Sequence, residues 1–453
     1  MAPHRPANRP TPTHPRHPTN PHRRDSAPTA STGAGLRRRS LMIGGLGLAV
    51  AGVAAACAGQ SPATSTTTAG GATPAATTPT APEPISPTYH EPAASNTALS
   101  AGTWSGAIGD KEVTLKGAYI VDGVTATLDG GTWESTTADQ AVFLVVNGGS
   151  LTLTNAAVVK SGDATSNGNT GVDDSYNFYG LNSAVVVVGA GSSVSLNETT
   201  LETTSSGSNA VVATGTATAT VTACAVSTSG ESSRGLHATY EGVITASDLS
   251  INTLGAHCAA VATDRGNGTV TVEGTNTFTT AGDGSPLIYS TGAITVSGLT
   301  GSATGAEAVV VEGKNQAAVS DSTLTTGSRR AGIMLYQSMS GDAADADAAA
   351  QASTLTLTGV SLTCTDPVPL LYVTNTTSQA TLTDCTLNTS GALASADEDR
   401  WGTSGSNGGT LALTLDATTS DGAITAGSTS SITVTAINGG GATGTTSGSV
   451  TVS

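Results

Sequence analysis

The chain has 453 residues, of which 3% are aromatic and 11% are charged, and small or β-branched residues dominate the rest. The residues after position 57 carry nine basic against 32 acidic side chains, a net charge of −23. A surface this acidic repels nucleic acid and anionic lipid, and it leaves uncharged glycans, cations and basic proteins as partners.

The first 57 residues are predicted to be an N-terminal extension followed by an export signal. Arg37, Arg38 and Arg39 precede an apolar, glycine-rich run that ends at Ala56 and Cys57, and the run is too short to span a bilayer. It resembles a twin-arginine lipoprotein signal, in which Cys57 would be acylated after cleavage. We therefore expect an exported protein, anchored to the outer face of the cytoplasmic membrane or the cell surface only through this lipid.

Two segments separate the signal from the repeats. Residues 58–98 are rich in Thr, Pro, Ala and Gly, which predicts a disordered stalk. Residues 99–140 contain Trp104, Tyr119 and Trp133 and are predicted to form an N-terminal cap on the folded domain, which we assign to residues 99–453.

A repeat of 22 to 28 residues runs through the main coils, residues 141–408. Each unit opens with a small residue and a short apolar run. The openings begin at Ala141, Ala184, Ala210, Gly235, Cys258, Pro286, Ala308, Gly332 and Pro369. Two intervals are longer and are interpreted as a unit with an insertion. Self-similarity at this period predicts a solenoid.

A second motif in each unit alternates apolar and polar residues, as in Leu151–Thr154 and Ala380–Thr383. Alternation indicates a half-buried strand, and the Asn155 or Asp384 that follows indicates a bend with left-handed backbone angles. Strands that recur once per coil must stack in parallel. The prediction is therefore an all-β, single-stranded right-handed parallel β-helix, with terminal coils at residues 409–453; the handedness follows from the usual crossover preference.

The first strand of each unit is apolar on both alternating faces, so its outer face should be covered. The predicted outward residues are Phe143, Val186, Val212, Ile288, Val310, Met334 and Leu371. The insertions Ser161–Tyr179 and Ser338–Gln351 are the expected covers, and a ligand or partner is the alternative.

Polar and aromatic side chains concentrate just after these first strands. Equal offsets from each opening residue lie above one another in a stacked coil, so these side chains should form one stripe across about seven coils. The predicted ligand-binding residues are Arg234, His237, Tyr240, Arg265, Lys314, Asn315, Tyr336, Gln337, Asn375, Arg400 and Trp401. A groove that holds carbohydrate is one interpretation. Side chains that only satisfy one another are the other.

If the protein is an enzyme, the catalytic candidates are Asp264, Glu312 and Asp399. A glycosidase needs two carboxyl groups, and Asp264 and Glu312 fall two coils apart in nearly one column, about 9–10 Å at strand spacing. That separation lies at the upper end of the inverting range. A lyase using Arg265, Lys314 or Arg400 is a weaker alternative.

No metal site or cofactor is predicted, although Ca²⁺ is possible. The oxygen-bearing side chains of the first insertion that would bind it are Asp163, Asn167, Asn169, Asp173 and Asp174. Four cysteines follow Cys57, and their spacing suggests no disulfide. Cys224, Cys364 and Cys385 are predicted to be core thiols.

Several strings resemble those of secreted bacterial pectate-lyase-like β-helix proteins, a group described as adhesin-like or uncharacterised. They are residues 233–240, 255–266, 311–315, 332–338, 372–375 and 399–409. The resemblance implies the fold and a surface location, and it transfers no catalytic residue. We expect a cell-surface, adhesin-like protein that binds carbohydrate or a surface partner, with polysaccharide cleavage as the alternative and a passive structural role as the third hypothesis.

Overall fold

The computed structural model describes residues 90–168, 171–338 and 351–453. These residues form 41 strands and one short helix. The first half of the chain contains β1 Gly102–Ile108, β2 Lys111–Asp122, β3 Thr125–Asp129, β4 Thr132–Ser135, β5 Ala141–Val146, β6 Ser150–Thr154, β7 Ala157–Lys160, β8 Asn167–Gly168, β9 Gly171–Val172, α1 Ser175–Tyr179, β10 Val185–Val188, β11 Ser193–Asn197, β12 Thr200–Thr203, β13 Val211–Thr214, β14 Thr218–Thr222, β15 Ala225–Thr228, β16 Leu236–Thr239, β17 Val243–Ser247, β18 Ser250–Thr253, β19 Val261–Asp264, β20 Thr269–Glu273 and β21 Asn276–Thr280. The second half contains β22 Ile288–Ser290, β23 Ala293–Ser297, β24 Leu299–Ala303, β25 Val309–Glu312, β26 Gln316–Ser320, β27 Thr323–Thr326, β28 Ile333–Tyr336, β29 Ser353–Thr358, β30 Ser361–Cys364, β31 Leu371–Thr374, β32 Thr377–Thr383, β33 Thr386–Asn388, β34 Ala394–Ala396, β35 Thr410–Asp416, β36 Thr419–Ser420, β37 Ile424–Ala426, β38 Ser431–Ile437, β39 Gly441–Ala442, β40 Thr446–Ser447 and β41 Val450–Val452.

Three long sheets run the length of the domain. The first sheet has 14 strands, in the order β1-β2-β5-β10-β13-β16-β19-β22-β25-β28-β31-β34-β37-β40. The second has 13, from β3 to β41, and the third has 10, from β33 to β4. Successive coils each add one strand to the first and second sheets, and the coils from β4 to β33 also add one to the third sheet. Every pairing in the three sheets is parallel except that of β1 with β2. The chain is therefore a parallel β-solenoid of about 13 turns, which confirms the predicted β-helix.

The second sheet follows the alternation of the sequence closely. Leu151 pairs with Val194, and the inward side chains of this column are buried while Thr152 and its neighbours on the other face are partly exposed. Asn155 and Asp384 adopt positive φ angles of 52° and 51° at the following bend, as predicted. Side chains stacked about 4.8 Å apart thus fill a narrow core of mostly small and aliphatic residues, with Phe143 and Phe278 among its largest side chains.

The first sheet corrects one prediction. Phe143, Ile288 and Leu371 point into the main core, whereas their chain neighbours Leu144, Tyr289 and Tyr372 face outward. The predicted outward positions of Val186, Val212, Val310 and Met334 are correct. A strand that is apolar on both faces carries no alternation from which its phase can be determined, so the sequence could not distinguish the two assignments.

The N-terminal coils are covered on the outside of the first sheet. The hairpin β1–β2 and the insertion that contains α1 lie over Leu144, Val186 and Val212. The described part of the predicted stalk also contacts the solenoid, because residues 93–97 form hydrogen bonds with the edge strand β3. Across the described segments, no helix has the length and apolar character needed to cross a membrane.

Four cysteines lie in the described residues, and all of them are buried free thiols: Cys224, Cys258, Cys364 and Cys385. Burial raises the pKa of Cys224 to about 11 and that of Cys258 to about 12. The prediction of core thiols is confirmed for Cys224, Cys364 and Cys385. The described solenoid is thus held by stacking and not by disulfides. Cys57 and its signal lie outside the described residues, as do residues 58–89 of the predicted stalk.

Candidate functional site

The outer face of the first sheet is covered at both ends and open between the covers. The strand register places Ala262, Tyr289, Val310, Met334 and Tyr372 in one outward column, one residue per coil. The α1 insertion lies over the coils before this column. A loop of residues 397–407, called here the Trp401 loop, lies over its far end. The predicted site residues fall into two clusters at these two covers and a third group at the corner after the first sheet.

The first cluster lies against the α1 insertion. Arg234 forms an ion pair with Asp264, with 3.5 Å between Nη2 and Oδ2. His237 is fully buried, with its Nε2 3.1 Å from the backbone oxygen of Asn177 in α1. Burial lowers the pKa of His237 well below its usual value, so the imidazole is neutral. His237 therefore holds the insertion in place and does not reach the surface.

Two further predicted residues contact the same insertion. The ring of Tyr240 stacks on that of Tyr179, with centroids 5.7 Å apart and an interplanar angle of 6°. The guanidinium of Arg265 lies 4.2 Å above the ring of Phe178. These contacts are the kind that a cover makes with the surface beneath it.

The second cluster is centred on the carboxylate of Glu312, which is only 6% exposed. The hydroxyl of Tyr336 donates a hydrogen bond to Glu312 Oε2 at 2.7 Å, and the hydroxyl of Tyr289 donates to the same oxygen. Burial, together with the charge of Glu312, raises the pKa of both phenols well above the usual value for tyrosine. Both hydroxyls therefore stay protonated and remain hydrogen-bond donors to the Glu312 carboxylate.

The Trp401 loop closes over this cluster. The ring of Trp401 is 3% exposed and lies 4.8 Å from that of Tyr336. Arg330 and Arg400 lie over the indole, with 5.0 and 4.8 Å between their guanidinium carbons and its centroid. Arg330 also pairs with Asp399 at 3.8 Å, and Tyr372 donates to the same carboxylate at 3.3 Å.

The predicted amides and lysine lie at the corner after the first sheet. Asn315 Nδ2 donates to the backbone oxygen of Glu312 at 2.6 Å, and Asn375 Nδ2 donates to that of Gln337 at 2.8 Å. Both amides thus bind the protein's own backbone. Lys314 and Gln337 lie half-buried at this corner and also have interactions of their own.

An open groove of about 670 Å³ lies between the covers. Its floor consists of Tyr289, Val310, Met334 and Tyr336, which are outward residues of β22, β25 and β28. One wall is the corner between the third and first sheets, where the lining side chains are Asp283, Glu307, Ser328, Arg329 and Arg330. The floor is apolar and aromatic while the wall is charged, a combination that suits a small polar ligand with an apolar face.

None of the predicted site residues belongs to this wall. Glu307 directly precedes the opening Ala308 and Arg330 lies two residues before Gly332, whereas most of the predicted site residues follow an opening. Both corners flank the outer face of a first strand, so charged residues just before an opening are also signals for this face. Gly282 and Gly305 lie at this corner, where a Cβ would collide with the backbone of the preceding coil. The absence of side chains there lets the corners stack closely.

Within residues 90–168, 171–338 and 351–453 no group of three or more His, Cys, Asp or Glu side chains is arranged to hold a metal ion. Asp163 accepts a hydrogen bond from the amide of Ser206, and Asp173 accepts one from the amide of Ser175. Asp163 and Asp173 thus organise backbone in and beside the first insertion, and Asn169 lies outside the described residues.

Comparison with protein families, with curated proteins and with solved structures finds no match for this chain. Its fold is a parallel β-solenoid.

Proposed function

We propose that this chain is an exported, lipid-anchored surface protein whose solenoid binds a carbohydrate chain in the groove on the first sheet. The observation that carries the proposal is the combination of a tyrosine and aliphatic floor with a charged wall. The C–H faces of a sugar ring lie well on aromatic and apolar side chains, while carboxylates and guanidinium groups bond its hydroxyls. The Trp401 loop and the α1 insertion give the groove its two ends.

The second sheet offers a different kind of surface. The outward positions of the second sheet are small and polar, such as Thr152, Ser195, Thr220, Thr245 and Thr271 in successive coils. A flat face of threonine and serine is typical of solvated β-strands. Aromatic, acidic and basic side chains converge instead on the outer face of the first sheet, where the groove lies.

The net charge of the protein favours a neutral or cationic glycan over an anionic one. The net charge of −23 after position 57 repels anionic polymers, so a neutral or cationic chain fits better than a polyuronate. Binding at a surface, without chemistry, is also consistent with the partners of the three acids predicted as catalytic. Asp264 is paired with Arg234, Glu312 accepts from two phenols, and Asp399 contacts Arg330 and Tyr372.

A binding experiment tests this function. The variant Tyr289→Ala removes the central ring of the floor, and Thr295→Ala changes an exposed position of the second sheet in the same coil. On an array of neutral, cationic and anionic oligosaccharides, we expect the native protein and Thr295→Ala to bind and Tyr289→Ala to lose about fivefold or more in affinity, because stacking on an aromatic ring contributes about 1–3 kcal/mol by analogy with nucleobases. Absence of binding to every glycan would reject the proposal.

The proposed export and lipid anchoring are tested separately. Expressed in a bacterium with its own signal, the protein should fractionate with membranes and release a diacylglycerol-modified N-terminal peptide beginning at Cys57. The variant Cys57→Ser should be released as a soluble protein or remain unprocessed. An unmodified Cys57 in the mature native protein would contradict the lipid anchor.

Cleavage of the bound chain is the alternative that the acids Asp264, Glu312 and Asp399 suggest. Product release from a panel of polysaccharides would establish it, and loss of turnover in Asp264→Asn or Glu312→Gln with the fold intact would assign the acids. A panel without turnover would leave binding as the function.

A further inference from the structure

The Trp401 loop is an enlarged corner of the solenoid that folds back over earlier coils. Thirteen residues, 397–409, separate β34 from β35, whereas three residues, 313–315, separate β25 from β26. From this corner Trp401 reaches back to the ring of Tyr336, which lies two coils earlier. We propose that the loop is a lid, hinged at its base and held closed by Arg330, and that its opening lengthens the groove by one coil. This inference goes beyond the proposed function, because it does not depend on which ligand the groove binds.

The loop is held together by its own hydrogen bonds. The side-chain amide of Asn407 donates to the backbone oxygens of Asp399 and Trp401. The carboxylate of Glu398 accepts from the amide of Gly405 at 2.9 Å. Compact loops with close ends and internal packing of this kind are structural units of their own. Such a loop can change its position and keep its internal structure.

Backbone hydrogen bonds attach the loop to the solenoid at its base. Asp397 and Asn407, near the two ends of the loop, are bonded to the backbone of β31 and of the corner that follows it. The side chain of Thr429 adds one hydrogen bond to Glu398. Between the two ends, residues 398–406 form no backbone–backbone hydrogen bond with any described strand. The base thus has the properties of a hinge, and side chains alone hold the tip of the loop.

Arg330 is the residue that holds the tip. Its guanidinium lies 5.0 Å from the centroid of the Trp401 indole and 3.8 Å from the carboxylate of Asp399. The side chains of this ion pair are 31% and 28% exposed, so water weakens their attraction. Contacts of this modest strength keep a loop closed for most of the time and still let it open.

Opening of the lid would change the groove because the two share residues. Arg330 belongs to the wall of the groove, and Tyr336 belongs to its floor. The next outward residue after Met334 is Tyr372, which packs against the cluster that contains Trp401 and donates to Asp399. Removal of the lid would uncover Tyr336 and add Tyr372 to the floor, one strand spacing or about 4.8 Å further along the sheet. The closed lid therefore sets the length of the ligand that the groove accepts.

The test measures how often Trp401 is exposed. Trp401 is 3% exposed in the closed loop, so its rate of oxidation by hydroxyl radicals reports opening, with Trp104 and Trp133 as references in the same protein. The variant Arg330→Gln removes the ion pair and the cation–π contact together. We expect the ratio of open to closed loop to rise roughly threefold to thirtyfold, and the oxidation rate of Trp401 to rise with it.

Two further variants assign the effect to the contact between Arg330 and the loop. Arg329→Gln removes the same charge from the exposed neighbour on the same wall, and it should leave the oxidation of Trp401 unchanged. Asp399→Asn removes the ion pair from the side of the loop and leaves the wall intact. Its effect should be smaller, a rise in opening of roughly 1.4-fold to fivefold, because the guanidinium still lies over the indole.

Hydrogen exchange of β28, β31 and β34 distinguishes a lid from part of the core. These strands should keep their protection in all three variants, because the hinge leaves their ladders intact. Loss of their protection together with exposure of Trp401 would overturn the inference. The same conclusion would follow if Trp401 were oxidised equally in the native protein, Arg330→Gln and Asp399→Asn, or if Arg329→Gln exposed it as much as Arg330→Gln.

Discussion

The phenol of Tyr336 should stabilise the coils around Glu312 by a measurable amount. Tyr336 is 3% exposed, and its hydroxyl donates to Glu312 Oε2 at 2.7 Å. A hydrogen bond to a charged group contributes roughly 1.5–3 kcal/mol, so we expect Tyr336→Phe to lower the free energy of unfolding by about 2 kcal/mol. The second donor, Tyr289, limits the loss, because Glu312 keeps one phenol.

The matched control is Tyr372→Phe. Its hydroxyl also donates to a carboxylate, that of Asp399, but the distance is 3.3 Å and both side chains are half-buried. We expect this change to cost less than about 1 kcal/mol. Urea denaturation followed by tryptophan fluorescence suits both variants, since Trp401 lies 4.8 Å from Tyr336. Because a solenoid need not unfold in one step, hydrogen exchange of β25 and β28 provides an independent measurement.

The pH dependence of stability tests the same hydrogen bond between Tyr336 and Glu312. Burial and the charge of Glu312 raise the pKa of Tyr336 above its unfolded value of 10.0. Its contribution is therefore fully present below pH 10.0 and is lost as the pH rises through the higher folded value. Tyr336→Phe should lose less stability than the native protein above pH 10.0. If Tyr336→Phe leaves the free energy of unfolding unchanged, or if Tyr336→Phe and Tyr372→Phe lower it equally, the buried carboxylate does not depend on this phenol.

Three other outcomes follow from the described structure. Burial lowers the pKa of Lys160 from 10.5 to about 8, so between these pH values the unfolded chain binds one more proton than the native protein. Stability should therefore rise by up to about 3 kcal/mol as the pH increases from 8 towards 10.5. Lys160→Met should abolish this rise in the denaturant midpoint, and an unchanged slope in the variant would contradict the assignment to Lys160. Cys224 and Cys258, with pKa values raised to about 11 and about 12, should resist a thiol reagent in the native protein and react once guanidinium unfolds it, and rapid native labelling would show that the core opens. Trp401→Ala removes the contact with Tyr336 and both stacked arginines, so it should make the Trp401 loop sensitive to limited proteolysis while β10–β19 keep their protection; loss of protection throughout would indicate that the loop supports the whole solenoid.

The sequence predicted the solenoid because two periodicities coincide in it. The apolar column of Leu151 and Val194 repeats along the strand and again from coil to coil, and only a stacked parallel arrangement satisfies both. The phase of the first strand was not accessible in the same way. Phe143 and Leu144 are both apolar and both buried. Phe143 packs in the main core and Leu144 packs under the N-terminal cover, so hydropathy could not tell which of them faces inward.

The site was predicted only in part, for a different reason. Register alone located Glu312, Tyr336 and Trp401 near one another, and the structure brings these three together. His237 has the right offset but lies beneath α1, because coil register does not show which insertion folds back over a strand. Glu307 belongs to the corner before the strand, and its importance depends on the three-dimensional groove.

The outward column from Ala262 to Tyr372 advances by one residue per turn, so its rise is about 4.8 Å for each new side chain. Between the α1 insertion and the Trp401 loop, each such step along the solenoid axis presents the outward residue of a new coil. Exchanging the outward residue of a single coil would then change one position of the groove floor while the strand pairing kept the neighbouring positions in place.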